Sequence, residues 1–541
     1  MAASIELDPD SLERILQLVS DCGLLRATHT ARLVNKFWRQ AIDLRTHRLR
    51  DATNSARPAD LAALLKQTSN LTFLDILYSS MSPAACLQLP QLSLQRLHIA
   101  DCGSLASSDL SCLHHLTDLH VLKLSNVRTT ASTVLEGCAN LLRLHTLELR
   151  DFKAIDEKLF SKLTPLTELR TLALVAEEGT NATLRSLSMH LLPSCASNLT
   201  SLELGKLEST YPLAALRELA QLQVLRLSNC KLFLKPDNTG HDLLAEISHL
   251  TQLTSLSLQQ FATQSINSSQ MLQDMRQLKG LRSLRVQQGK ARGFIEGLTA
   301  LTGLVELVLL DPLTEIQSRH VLNEILLGLF HLTRLELSVT GDVLVEGFRL
   351  FRHLPYLQKL KFEGTHSYDT KGLSNLFWGL TSLTGSVTSL SLKGSKFSSA
   401  IQGRYRTGAG ASVYDLDLGE FPVHSLQVFA NVFPEVRSLR LILNNFQELP
   451  LQSWTKLTRL CVDWHHRNAG PAADHCPLAM CESLSKLCCL QQLTIECPLT
   501  DVLGIVPFAV IASKHKDMLR MLPGGDVVIV QSDGDTVTLS S

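Results

Sequence analysis

Apolar residues recur along this chain in a fixed local pattern. The frame L-x-x-L-x-L occurs at Leu119, Leu122, Leu124; Leu144, Leu147, Leu149; Leu169, Leu172, Leu174; Leu199, Leu202, Leu204; Leu222, Leu225, Leu227; and Leu253, Leu256, Leu258. With conservative substitutions it starts again at Leu281, Leu304, Leu332, Leu357, Val387, Val413, Val436, Leu457 and Leu490, and two earlier copies start at Leu71 and Leu94. That makes seventeen copies with a mean spacing of about 26 residues. The closing L-x-L alternates inward and outward as a short strand does, so each copy predicts one strand. The L-x-x-L run before it, as in Leu113, Leu116, Leu119 or Leu163, Leu166, Leu169, suits a helical return.

One such unit cannot stand alone, because ordering some 26 residues at about 1.5 kcal/mol each exceeds what a handful of buried leucines returns at roughly 1.5 to 3 kcal/mol each. Stacking is what makes the unit stable. The pattern resembles the leucine-rich repeats, in particular the irregular cysteine-containing and ribonuclease-inhibitor-like kinds. The implied fold class is an α/β leucine-rich-repeat solenoid, a horseshoe whose seventeen strands, about 4.8 Å apart, would trace an arc of roughly 80 Å. The ninth frame position holds Cys102, Cys230 and Asn444 in three copies but Val127, Phe152, Leu207 and Phe261 in others, so a continuous asparagine ladder is not expected. Extra length is expected in loops, notably Gly394 to Ser412 and Asp463 to Pro477. After Leu490 the frame stops, and Asp526 to Leu539 carries a hairpin signal around Ser532, Asp533, Gly534 and Asp535.

The first fifty residues depart from the frame. Leu12, Ile15, Leu16 and Val19 recur at helical spacing after Asp8 and Pro9, and Ala31, Leu33, Val34, Phe37, Trp38 and Ala41 form a second helical stretch. Leu7 to Leu16 followed by Leu24 to Ile42 resembles the F-box, with Leu33, Val34, Lys36 and Trp38 as its most specific part. Asp8 separates Leu7 from Pro9, which that family usually places side by side, and Asn35 stands where cysteine is frequent. The resemblance implies that Pro9, Leu12, Ile15, Leu16, Val34 and Trp38 face the Skp adaptor of a cullin ubiquitin ligase. The domains then read as an F-box-like helical module over 1–50, a linker and N-terminal cap over 51–70, a repeat solenoid over 71–498 and a C-terminal cap with a hairpin over 499–541. The alternative is that the N-terminal helices only cap a leucine-rich scaffold, cytoskeletal or axonemal, with no ligase role.

Composition narrows the partners. Lys+Arg and Asp+Glu both number 51, so bulk charge favours neither nucleic acid nor an anionic membrane. At 45% hydrophobic and 19% charged residues the chain has ample surface for a core. MAASIELDPD lacks a basic segment followed by an apolar one, and no apolar run reaches the roughly 18 residues of a membrane span. With thirteen scattered cysteines, this places the expectation on reduced thiols in the cytosol or nucleus.

No phosphate-binding glycine loop, H-E-x-x-H or G-x-S-x-G elbow occurs, and Gly408 and Gly410 lack a strand-to-helix context. Glu177 and Glu178 read as solvated turn residues. Cys461, His465, His466, His475, Cys476, Cys481, Cys488, Cys489 and Cys497 cluster in sequence, but without a second cysteine pair at zinc spacing, so neither a metal nor a cofactor is expected. What remains is recognition of an unknown protein substrate, and the chain is expected to be an adaptor without a catalytic site. The outward strand positions Arg226, Arg282, Arg285, Arg334, Lys359 and Lys361, interrupted by Glu306 and Glu336 and followed by Asp415 and Asp417, predict a modestly basic target surface.

Overall fold

In a computed structural model the described residues are 48–51, 58–66, 68, 70–77, 82–101, 105–106, 108–126, 131–152, 159–176, 197–205, 208–209, 213–229, 231–232, 243–259, 275–287, 298–310, 326–338, 351, 353–363, 367–368, 386–397, 412–420, 426–443, 451–464, 487, 489–497, 526–531 and 536–539. The chain divides into two compact units, Met1–Leu281 and Arg282–Ser541.

The first unit is built on short strands: β1 (Arg48–Asp51), β2 (Phe73–Leu77), β3 (Arg96–Ala100), β4 (Val121–Ser125), β5 (Thr146–Phe152), β6 (Thr171–Ala176), β7 (Ser201–Gly205), β8 (Glu208–Ser209), β9 (Val224–Ser228), β10 (Lys231–Leu232) and β11 (Ser255–Gln259). From β1 to β7, and on through β9 to β11, each strand pairs parallel with the next, while β8 and β10 pair with each other. The pairing matches equivalent frame positions. Leu97, Leu122, Leu147, Leu172 and Leu202 stand opposite one another along the sheet, as do Ile99, Leu124, Leu149, Leu174 and Leu204. All ten are buried. Each such leucine contributes roughly 1.5 to 3 kcal/mol on full burial, but only because its counterparts on the neighbouring strands close the row on both sides.

The second unit repeats the construction with β12 (Ser283–Gln287), β13 (Glu306–Leu310), β14 (Arg334–Ser338), β15 (Lys359–Glu363), β16 (Ser367–Tyr368), β17 (Ser389–Phe397), β18 (Asp415–Glu420), β19 (Ser438–Leu443), β20 (Arg459–Trp464), β21 (Gln492–Cys497), β22 (Asp526–Gln531) and β23 (Thr536–Leu539). These pair parallel in order, β15 and β16 both against β17, until β23, which lies antiparallel to β22. Larger side chains replace leucine in places. Phe362 packs against Phe351 with ring centroids 5.8 Å apart, and buried Trp454 donates its Nε1–H to the Phe433 carbonyl at 3.0 Å.

One backbone device ties strand to strand in both units. The amides of the second and third frame positions both donate to the second-position carbonyl of the preceding repeat. His120 and Val121 thus share Gln95 O, His145 and Thr146 share His120 O, and Thr333 and Arg334 share Val305 O. Where threonine occupies the second position its hydroxyl joins the same carbonyl, from Thr200 to Arg170 at 3.2 Å and from Thr458 to Arg437 at 3.0 Å. The second-position carbonyl is thereby satisfied at these steps.

The structure refines several expectations. The L-x-x-L run is not one continuous helix: Leu116 donates to Leu113 O and Leu119 to Leu116 O, and the same three-residue steps join Leu163, Leu166 and Leu169. Three residues per turn matches a leucine at every third place, where a helix of 3.6 would rotate it off the core. Parallel pairing already begins at β1, so the expected boundary between residues 50 and 51 falls inside a strand. The expected loops at Gly394 to Ser412 and Asp463 to Pro477 are corrected at their starts, because β17 runs to Phe397 and β20 to Trp464, each held by pairing with its neighbour. Among the described residues no helix is long and apolar enough to cross a membrane.

The eighth frame position directly follows β3, β4 and β9 and lies inside β5. There Asp101, Asn126, Asp151 and Asn229 adopt positive φ, between 49° and 56°. Asp and Asn tolerate this left-handed region better than other residues with a Cβ. Asn126 also donates its Nδ2–H to Asp101 Oδ1 at 2.8 Å. Replacing Asn126 with Val is expected to destabilise the folded chain by about 1 to 3 kcal/mol, read as a lowered urea midpoint, whereas Asn126→Gly loses only the side-chain bond and should shift it far less.

Candidate protein-binding surface

The residues at frame positions three, five and seven leave the leucine rows on the opposite side of each strand. In the first unit this outward side carries a chain of charges that pair with one another. Lys123 Nζ on β4 lies 2.7 Å from Glu148 on β5. Arg150, two residues further along β5, donates from Nη1 and Nη2 to the two carboxylate oxygens of Glu203 on β7, both at 2.7 Å, and its Nε is 3.6 Å from Glu148. The reach from β5 to β7 passes over β6, where Glu148 and Glu203 flank Ala173 in register. A small residue there leaves room for the crossing, and Ala173 is only 2% exposed. The hydrogen bonds that Arg150 donates to Glu203 hold its pKa above the ordinary value. Arg226 on β9 closes the chain at 3.9 Å from Glu203. At the other end His98 Nδ1 lies 2.8 Å from Asp75.

The glycine at Gly205 belongs to the same surface. A Cβ there would stand 2.7 Å from Val175 Cγ1 and 2.9 Å from Ser228 Oγ. Both neighbours occupy the register positions beside it.

In the second unit the outward array is Glu306, Arg334, Glu336, Lys361 and Glu363. Arg334 Nη1 lies 3.1 Å from Glu306, and its Nε donates to Glu336 Oε1 at 2.9 Å. The hydrogen bonding of Arg334 to Glu336 raises the Arg334 pKa. Lys361 sits 3.9 Å from Glu336 and 3.5 Å from Glu363. Glu336, at 5% exposure, is buried beneath its cations. Further along, Asp417 accepts from Ser391 Oγ at 3.1 Å and Asp415 lies 3.5 Å from Arg459.

The six cations expected to form one target patch are therefore distributed as follows. Arg226 belongs to the first unit and the other five to the second. Arg285, Arg334, Lys359 and Lys361 stand on strands, at outward positions. Arg282 precedes β12 and donates Nη1–H to the Gly303 carbonyl at 2.8 Å. Two features escaped the sequence reading. One is the ion pairing across a skipped strand, which Ala173 makes possible and which only the register reveals. The other is the Asp and Asn positions with positive φ, which lie at the eighth frame position and not at the ninth.

The N-terminal residues Pro9, Leu12, Ile15, Leu16, Val34 and Trp38 lie outside the described residues. So do His465, His466, His475, Cys476, Cys481 and Cys488 of the C-terminal thiol and imidazole cluster, while Cys461 is half-buried and Cys489 exposed. Among the described residues no group of three or more His, Cys, Asp or Glu side chains is placed to hold a metal ion. Cys86, Cys112 and Cys138 are buried. A hydrogen bond with Cys86 lowers the Cys112 pKa, whereas burial pushes the Cys138 thiol up to about 12.

These two registers define the fold. Each unit is a leucine-rich-repeat solenoid. No family model and no curated protein sequence matches the chain. Among solved structures it is similar to the functional domain of InlJ from Listeria monocytogenes, described as including a cysteine ladder, with 18% identity over 78% of this chain and 77% of that one and a TM-score of 0.38. It is also similar to a leucine-rich-repeat protein of Leptospira interrogans, with 17% identity over 86% of this chain and 98% of that one and a TM-score of 0.40.

Two outcomes follow from this geometry. Arg334→Ala leaves the buried Glu336 with only Lys361 at 3.9 Å, so it should cost about 2 kcal/mol in a chemical denaturation curve, while Arg226→Ala, whose charge reaches its partner only at long range, should stay within roughly 0.5 kcal/mol of wild type. In native alkylation at pH 8, among the described cysteines exposed Cys489 should react before the buried ones, and Cys138 should resist until the protein unfolds, because the thiolate is the reacting form.

Proposed function

We propose that the chain is a non-catalytic recognition receptor that holds a protein target on the outward strand face of its solenoid, and that its N-terminal segment docks on the Skp adaptor of a cullin ubiquitin ligase. The observation that carries the first half is the outward face itself. Within each unit, strands about 4.8 Å apart present one charged or polar side chain after another, a surface suited to a macromolecule, and among the described residues it offers no converging acid, base and nucleophile. The second half is supported by the order Leu7–Pro9, Leu12–Leu16 and Val34–Trp38 ahead of a repeat array. Together they describe a substrate receptor acting by proximity: one end attaches to the ligase while the face raises the effective concentration of a target lysine near a ubiquitin-loaded enzyme. No chemistry is asked of this chain. A purely structural scaffold uses the same face without the N-terminal attachment, and the adaptor separates the two readings.

Full-length chain co-expressed with the Skp adaptor should copurify with it in a stoichiometric complex. Leu12→Ala combined with Trp38→Ala should reduce that complex at least a hundredfold, since large apolar anchors carry most of the energy of such interfaces. A double variant that keeps its thermal midpoint and still binds the adaptor would remove the ligase role and leave the scaffold.

A further inference from the structure

We infer that Arg285 and Lys359 are the residues of the second unit that grip the target directly, and that they take two carboxylates of one extended acidic segment lying across the strands. This rests on the reading that the outward face of that unit holds the target.

The cations of this face differ in what already holds them. Arg334 is committed to Glu306 and Glu336, and Lys361 to Glu336 and Glu363. Arg440 lies 3.8 Å from Asp463, and Arg459 lies 3.5 Å from Asp415. Drawing any of these toward a ligand strips a carboxylate of the molecule's own, including the buried Glu336. Arg285 and Lys359 carry no such commitment among the described residues. The Arg285 Nε is buried with no hydrogen-bond partner, so at least one donor of its guanidinium is still to be used. A donor in that state has lost its water without gaining a replacement, and an arriving carboxylate relieves the deficit. Lys359 is exposed at an outward position of β15.

Spacing then selects the ligand. β12 and β15 are separated by two intervening strands, β13 and β14, each paired with its neighbour. Three strand spacings, with Lys359 two residues off the register line of Arg285, place the two backbone positions about 16 Å apart on a diagonal. An extended peptide advances about 3.4 Å per residue and turns alternate side chains to one side. Acidic residues at i and i+4 therefore share a face and span about 14 Å, and the long Arg285 and Lys359 side chains cover the small remaining difference. Between the two cations the sheet shows buried Val308 and the mutually paired Glu306, Arg334 and Glu336, a stretch with no cation left over for a third acid. The two ends set the register of the bound segment.

The test uses the full chain and fluorescent twelve-residue peptides carrying two glutamates at i and i+4 or at i and i+2. The i, i+4 peptide should bind at least five times more tightly, and Arg285→Ala with Lys359→Ala should weaken it at least tenfold with an unchanged thermal midpoint. Arg282→Ala should leave it within twofold, because that side chain is already bonded to Gly303. Equal binding of both spacings, no binding of either, or unchanged binding by the folded double variant overturns the inference. A random peptide library selected in parallel on wild type and on Ser389→Trp, which places a bulky ring on the same face beside Lys359, separates the two levels. Binders lost on Ser389→Trp but lacking an acidic pair sink the two-cation inference and leave the face in place. Binders that ignore Ser389→Trp overturn the face itself.

Discussion

A five-residue strand that buries its second and fourth side chains has nothing of its own to bury them against. In this chain that problem is solved by parallel pairing that keeps the leucine positions in register, so that Leu122 meets Leu97 on one side and Leu147 on the other. A shift of one residue would exchange the leucine row for Lys123 and Glu148. The shared carbonyl at the second frame position fixes the pairing at the start of each strand, where Gln95 O accepts both His120 and Val121. The outward charges acquire their neighbours from the same constraint, and so does any surface they make.

The outward faces are consequently less open than their charge count implies. Arg150, Glu203, Arg334 and Glu336 meet partners on their own strand or one or two strands away and neutralise one another. Such arrays stiffen the face and limit which cations can act on something outside the molecule. Recognition on a surface of this kind depends on the residues left over, and the spacing between them is quantised by the strand separation.

Much of this was legible in the sequence. Leucines at two and three residues apart, repeating seventeen times, specify short strands and stacking because no other arrangement buries them. Residues at outward positions could likewise be named in advance, Arg285 and Lys361 among them. Their partners could not, since Arg150 and Glu203 are 53 residues apart and meet only because Ala173 lies low between them. Arg282 was grouped with Arg285 by its place in the frame, yet the strand starts only at Ser283, and the side chain turns to Gly303 instead. The left-handed Asp101, Asn126 and Asp151 went unread because a turn is marked by backbone geometry that several residue types accept.

The Arg150 and Glu203 pair tests the register most directly, because the two strands share no backbone hydrogen bond and β6 lies between them. A double-mutant cycle with Arg150→Met and Glu203→Gln, measured by urea denaturation at low salt, should give a coupling energy on the order of 1 kcal/mol that shrinks as salt is added. Additivity of the two substitutions within error, at any salt concentration, would mean that these side chains do not face each other across β6 and would contradict the in-register stacking from which the outward surface is built.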